Sequence, residues 1–560
     1  MSSLNKRNLR LTSAFLVFLT VCLTSSTGCR SLLHWSQNGF RVGPNYGEPD
    51  APIAEEFSET ESPVIDASSI VDTEWWRVFD DPDLEFLIDQ LLEENLTLKA
   101  ALWRINEARA IRNIAAGNLF PQFQVLNGQF FHNQASPNSD GFFPFAPITT
   151  RDWSTAFDAG WELDLWGRIR RSVASADAQL ESTVKDYDYA VVTLIAEVAS
   201  LYITIVSLDE RLKYADENVT LLKGSLDIAD KRFKAGRTSR LDVEQAKSNL
   251  AIVQATVPQL ELSQRQALNA LAVLLAIPPS EISSMFKGGK ELPTIPESVI
   301  VGIPAELLMR RPDIRAAERQ LAAQFEQIGI AEAEFYPTFS VNGSLGYQAA
   351  QLSDLFQSSS YTGLISPGFE WNILNYGRLL NGVEVEESRV NQLCFEFKNK
   401  VLLAQQEVED GIISFIKNKE RYNFDEDNRD ANLESVKLSM LEYKEGRTNF
   451  GRVYVVQSIY VQSQDQLVAT KANIALGLIE VYKALGGGWE TRLNETGPNE
   501  FAPIVEPEPE PEPDPEPETD DLTELRNRIY RGSARSLNLN QTGSTRISRV
   551  VPKNERARNR

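Results

Sequence analysis

Histidine and cysteine are almost missing from this chain: its 560 residues include two histidines, His34 and His132, and three cysteines, Cys22, Cys29 and Cys394. Residues so far apart build no zinc spacing, no disulfide framework and no Cys-His pair. No metal site and no cofactor is therefore expected. Cys394, between Leu393 and Phe395, reads as an inert core thiol. A phosphate-cradling glycine loop is also missing, so any work the protein takes part in draws its energy from elsewhere. Positive charge is in deficit: the net charge of -22 argues against backbone-level affinity for nucleic acid. The chain after its leader holds no uninterrupted apolar run of about 18 residues, the length a membrane-crossing helix needs.

The leader itself is legible. Lys6, Arg7 and Arg10 precede an apolar run from Ala14 to Leu23, and small residues lead to Cys29. Charged, apolar, then small is the order of a secretory signal peptide, here residues 1–28. Ser26-Thr27-Gly28-Cys29 resembles a lipobox, with Ser26 where leucine is usual. On that reading Cys29 is the lipidated, palmitate-bearing first residue of the mature chain; plain signal-peptidase cleavage nearby is the alternative. Each buried CH₂ of such an anchor adds about 0.8 kcal/mol of membrane affinity.

What the chain does contain, it contains twice. Lys-Ala-Gly-Arg-Thr at Lys234 to Thr238 returns 210 residues later as Lys-Glu-Gly-Arg-Thr at Lys444 to Thr448. The same offset carries Trp161 onto Trp371 and Trp166-Gly167-Arg168 onto Tyr376-Gly377-Arg378, so the chain is an internal duplication. Each half runs through alternating aromatic segments, a Gly-Arg marker, about seventy residues with almost no Gly or Pro, the Gly-Arg-Thr turn, and a shorter helical return.

The alternating segments read as strands. Trp153, Thr155, Phe157, Ala159, Trp161 and Leu163 oppose Ser154, Ala156, Asp158, Gly160 and Glu162. Val341, Gly343, Leu345 and Tyr347 oppose Asn342, Ser344 and Gly346, and Ile365, Phe369 and Trp371 oppose Ser366, Gly368 and Glu370. Phe123, Val125 and Asn127 alternate less cleanly with Gln122, Gln124 and Leu126. Strands are expected at about 121–132, 151–163, 336–347 and 361–372. Length and aromatic clustering fit transmembrane strands; a half-buried sheet in a soluble domain is the alternative. Four strands cannot close a barrel, and an open edge is not tolerated in lipid, so a membrane reading requires oligomerisation.

The proline-free stretches Trp166 to Ala235 and Gly377 to Glu445 carry apolar residues at helical spacing and would each reach about 105 Å. The returns, Leu241 to Ala276 and Val453 to Leu485, would run about 50 Å. Gly236 and Gly446 occupy the reversals, where glycine tolerates a left-handed helix end. Helices alone would fit a structural coiled coil equally well. Strands at one end of two helical hairpins, behind a secretory leader, point to a conduit.

These residues resemble a known family, the TolC-like outer membrane efflux proteins, and within it the lipoprotein (NodT-type) outlets of resistance-nodulation-division systems. The resemblance covers roughly Val42 to Trp489. It rests on Val42-Gly43-Pro44-Asn45-Tyr46, on Trp75-Trp76 with Phe79-Asp80-Asp81-Pro82, on the stretch from Ile303 to Glu318 followed by Phe335-Tyr336-Pro337-Thr338, and on Leu485 to Trp489. It implies a mixed α/β membrane protein in which four strands per protomer join a trimeric twelve-stranded β-barrel, continued by a long periplasmic α-helical barrel. The expected division is a lipidated segment 29–81, efflux repeats 82–300 and 301–489, an acidic Pro/Glu linker 490–521 and a basic disordered tail 522–560. The tail carries ten Lys/Arg against two Glu. It could touch anionic envelope polymers or lipids, or be a solvated extension.

The resemblance also implies site residues. Family members join a tyrosine three residues before the second turn glycine to an aspartate six residues after the first; Tyr443 and Asp242 stand there and would latch a closed periplasmic tip made by the Gly236 and Gly446 turns. Relatives often place an acidic ring where this chain has Arg452 and Val455, which puts cation selectivity in question. Pro304 and Pro312 suit first helical turns, and Arg310, Arg311 and Arg315 read as solvated or paired between helices. Asp242 and Glu244 have no convergent nucleophile or metal ligand, so no catalytic residue is assigned. The implied partners are two further copies of the chain, a periplasmic adaptor, an inner membrane resistance-nodulation-division pump and outer membrane lipid. The leading reading is a passive outlet for small toxic solutes; the alternatives are a type I secretion outlet and a non-conducting envelope tether.

Overall fold

A computed structural model describes residues 35–54, 62, 65–66, 73–138, 148–282, 291–296, 299–300 and 309–490. Two long helical hairpins dominate it. Helix α1 is Pro82–Glu94, α2 Leu96–Gly117, α3 Arg168–Lys234 and α4 Arg240–Leu274; α5 is Pro312–Ala333, α6 Arg378–Glu445 and α7 Phe450–Ala484. The two long helices, of 67 and 68 residues, would each extend about 100 Å, and both returns have 35 residues. The expected starts were late by one residue at α4 and three at α7. At α7 the reason is a cap: the Asn449 side chain accepts from the Arg452 N–H at 3.1 Å, satisfying a donor the helix start leaves unpaired.

Strands β2 (Phe123–Gln134), β3 (Thr149–Leu163), β5 (Thr338–Ala349) and β6 (Tyr361–Glu370) form one antiparallel sheet in the order β2-β3-β5-β6. A separate short parallel pair joins β1 (Ile65–Asp66) to β4 (Val299–Ile300). The register sorts the large sheet into two faces. Leu126, Phe157 and Leu345 share one row, with Trp161 beside Val341 and Pro367, and Phe339 beside Phe369. The opposite face carries Asn127, Asp152, Asp158, Glu162, Ser344, Asn342 and Glu370. Phe123 and Val125 also fall on the polar face, because β2 pairs Phe123 with Gly160 and Val125 with Asp158. A Cβ on Gly160 would sit 2.1 Å from the Phe123 ring, so the ring lies over the bare glycine backbone. Neither face has a core beneath it: every β2 and β6 residue is exposed.

Gly167 and Gly377, at φ +83° and +84°, turn each half from strand into long helix. The main core lies along the helices. Trp75, Trp76, Phe79, Ile195, Tyr202, Phe415 and Leu478 are buried there, and Trp75 stacks on Tyr482 at 5.4 Å. Tyr202 donates to Asp81, whose carboxylate also accepts from the Asp83 N–H at the start of α1. The apolar stretch of α3 is mostly buried in this core.

Residues 35–54 form a strap on the helices. Val42 N–H donates to Trp166 O at 2.9 Å. Arg171, 1% exposed, donates to Val42 O at 2.6 Å, Pro44 O at 2.9 Å and Glu326 at 2.7 Å. Its guanidinium fits only because Gly329 has no side chain: a Cβ there would lie 2.1 Å from Arg171 Nε. Tyr46 then donates to Glu318 at 2.5 Å, and Gln405 holds both Pro52 O and Ala54 N. Of the junction arginines, Arg311 is buried and pairs with Asp313 at 3.0 Å and Glu407 at 2.8 Å, and Arg315 donates to Met309 O. Pro312 opens α5 as expected. Pro304 lies outside the described residues.

Candidate functional site

The two Gly-Arg-Thr turns meet at one end of the hairpins, and their geometry follows from glycine. Gly236 has φ +68° and Gly446 φ +81°, a region other residues rarely adopt. In the first turn Gly236 N–H donates to Phe233 O and Arg237 N–H to Arg232 O; the second repeats this with Gly446 to Tyr443 O and Arg447 to Glu442 O. Both close the carbonyls left open at a helix end. Beneath them Ala229, Val243, Ala246, Tyr443, Phe450 and Val453 form a small core of their own.

Tyr443 is 1% exposed, and its hydroxyl donates to Asp242 Oδ2 at 3.2 Å. The structure thus brings together the pair singled out in the sequence. Asp242 also accepts from the Thr238 hydroxyl four residues earlier. Phe450 packs edge-on to the Tyr443 ring at 5.3 Å between centroids. Burial pushes the phenol pKa above its ordinary value, and the Asp242 charge adds to the rise; the hydroxyl therefore remains a donor through neutral pH.

Arg452 and Val455 sit elsewhere on the tip. Both are exposed, and with Ile459 they follow one stripe of α7. Asp242 is engaged by Thr238 and Tyr443, and among the described residues no carboxylate pairs with Arg452. Cys29, the remaining site residue, lies outside the described residues, as do the signal segment, the linker beyond 490 and the basic tail. Among the described residues no group of His, Cys, Asp and Glu could hold a metal.

Arg232 and Thr238 were not singled out in the sequence. Thr238 had a signal, a hydroxyl within the repeated pentapeptide. The duplication itself held a further one: the 210-residue offset sets Arg232 against Glu442, Phe233 against Tyr443, and Asp242 against Arg452. The copies have diverged at the positions that make the tip contacts.

An open four-stranded sheet with one apolar and one polar face, carried on paired hairpins of this length, defines a TolC-like channel protomer. The chain belongs to the outer membrane efflux protein family, which matches residues 87–276 and 303–487. It is similar to nodulation protein T of Rhizobium leguminosarum bv. viciae, with 30% identity over 80% of this chain and 90% of that one. The probable outer membrane lipoprotein SilC of Salmonella typhimurium is 26% identical, over 80% of this chain and 95% of SilC. Among solved structures, the outer-membrane channel OprN superposes with a TM-score of 0.75 at 31% identity, covering 80% of this chain and 99% of OprN. The protein is an outer membrane efflux channel.

Proposed function

We propose that the protein works as a homotrimeric, passive outlet, lipid-anchored through Cys29, that receives small toxic solutes from a periplasmic adaptor and a resistance-nodulation-division pump in the inner membrane. The observation that carries this reading is the sheet. Its β2 and β6 edges each leave a row of backbone donors and acceptors without a strand neighbour, and lipid demands that such edges close. Three copies close them with twelve strands, the apolar rows facing lipid and the Asp, Asn and Ser rows lining water. The lipidated amino terminus is supported by the lipobox-like sequence and by SilC, described as an outer membrane lipoprotein. The same reading divides the chain into a lipidated segment 29–81, repeats 82–300 and 301–489, a linker 490–521 and a tail 522–560.

Passivity follows from the lack of any energy-coupling motif in the sequence. The tip turns then form the periplasmic entrance, with the Tyr443–Asp242 hydrogen bond as its latch and Arg452 and Val455 bordering the opening. Purified protein in mild detergent should behave as a trimer and conduct ions in planar bilayers. A monodisperse monomer with intact β-signal, or a trimer without conductance, would overturn the proposal.

A further inference from the structure

We infer that Arg232 is a positioning residue of the tip: it ties the first hairpin to the second turn and holds Tyr443 where its hydroxyl reaches Asp242. Arg232 lies in the last turn of α3, 211 residues before Tyr443. Its Nη1 donates to the backbone carbonyls of Tyr443 and, at 2.8 Å, of Lys444. Those carbonyls belong to the end of α6, where negative partial charge concentrates; Tyr443 O, which already accepts from the Gly446 N–H, takes Arg232 as a second donor. The guanidinium also lies over the Tyr443 ring, 4.7 Å from its centroid. A flat cation suits both tasks at once, since it can donate in its plane and stack with its face.

The guanidinium also packs against the turn itself: a Cβ on Gly446 would lie at ordinary contact distance, 3.4 Å, from Arg232 Nη2. The contact is one-sided. The duplicate of Arg232 is Glu442, which pairs with Arg447 of its own turn at 3.6 Å, so at this pair of equivalent positions the first hairpin's side chain crosses and the second's pairs within its own turn. Tyr443 is thereby held at three points, its carbonyl and ring face by α3 and its hydroxyl by α4. If Arg232 lets go, the end of α6 is free to shift and the hydroxyl loses its aim even though Tyr443 and Asp242 are both present.

The inference rests on the proposal that the tip is the entrance, and the experiment separates the two. Arg232→Gln, Arg232→Lys, Tyr443→Phe and the wild type are compared as full-length trimers, by single-channel recording in planar bilayers and by thermal dissociation of the trimer. Loss of the carbonyl bonds and the stacked charge in Arg232→Gln should raise the open population roughly tenfold or more per protomer, with trimer dissociation unchanged. Arg232→Lys keeps the charge but not the fork and should fall between wild type and Arg232→Gln; that graded rescue would not accompany a general loss of folding. Adding Tyr443→Phe to Arg232→Gln should give less than the product of the two single effects, because Arg232 acts partly through the hydroxyl. If Tyr443→Phe opens the channel and the Arg232 variants conduct as wild type, Arg232 has no positioning role and the latch stands. If none of the three opens it, the tip is not the gate and both readings fail. Should Arg232→Gln not assemble, an Arg232→Lys trimer indistinguishable from wild type in conductance overturns the inference by itself.

Discussion

Tyr443→Phe removes one oxygen and little else, which makes it the sharpest probe of the tip. The ring stays against Phe450 and under Arg232, so the change isolates the hydroxyl's bond to Asp242. A hydrogen bond to a charged group contributes about 1.5 to 3 kcal/mol. At 3.2 Å, with Asp242 still holding Thr238, the low end applies, about 1.5 kcal/mol per protomer. If three copies open together the closed state loses about 4.5 kcal/mol, roughly a thousandfold in the equilibrium. Asp242→Ala should open the tip at least as far, since it also strands the buried hydroxyl, at about 1 to 3 kcal/mol. Single-channel conductance and uptake of large antibiotics by cells report the change. A Tyr443→Phe channel that conducts and excludes like wild type would refute the assignment. pH offers a second check. The folded tip binds the phenol proton more tightly than the ordinary value of 10.0 implies, so this contribution is fully present below that value and is lost as pH rises through the elevated one. Conductance should stay flat between about pH 6 and 9 and rise only in stronger alkali.

Arg452→Asp should raise cation preference, because a ring of charge in a narrow pore governs which ions pass; an unchanged reversal potential in a salt gradient would show that the side chain does not face the pore. Cys29→Ser should abolish incorporation of labelled lipid and weaken outer membrane retention while the trimer survives, and wild-type protein that takes up no lipid would refute the anchor. Arg171→Ala should release the 35–54 strap and destabilise the protomer by about 3 to 5 kcal/mol, the cost of stranding a buried partner. Thermal unfolding with limited proteolysis of the strap measures it, and a variant as stable and resistant as wild type would show that Arg171 does not fasten the strap.

Much of this architecture is local and therefore legible in the sequence. Helical periodicity uninterrupted by proline specifies α3 and α6 to within two residues, because backbone hydrogen bonding in a helix depends only on neighbours along the chain. Gly236 and Gly446 mark their own left-handed turns, and the alternation of β3, β5 and β6 assigns each side chain a face. Only the tertiary structure placed the faces of β2, where pairing with β3 set Phe123 and Val125 among the polar residues against the hint of their own hydrophobicity. It alone decided that Arg171 would be swallowed by the strap and that Arg311 would be buried between Asp313 and Glu407. At the tip, the Tyr443 and Asp242 positions could be found by resemblance, but the reach of Arg232 across 211 residues could not. That contact depends on how two divergent copies of one hairpin pack side by side, and the packing is a sum over many weak burial contacts that no spacing along the chain encodes.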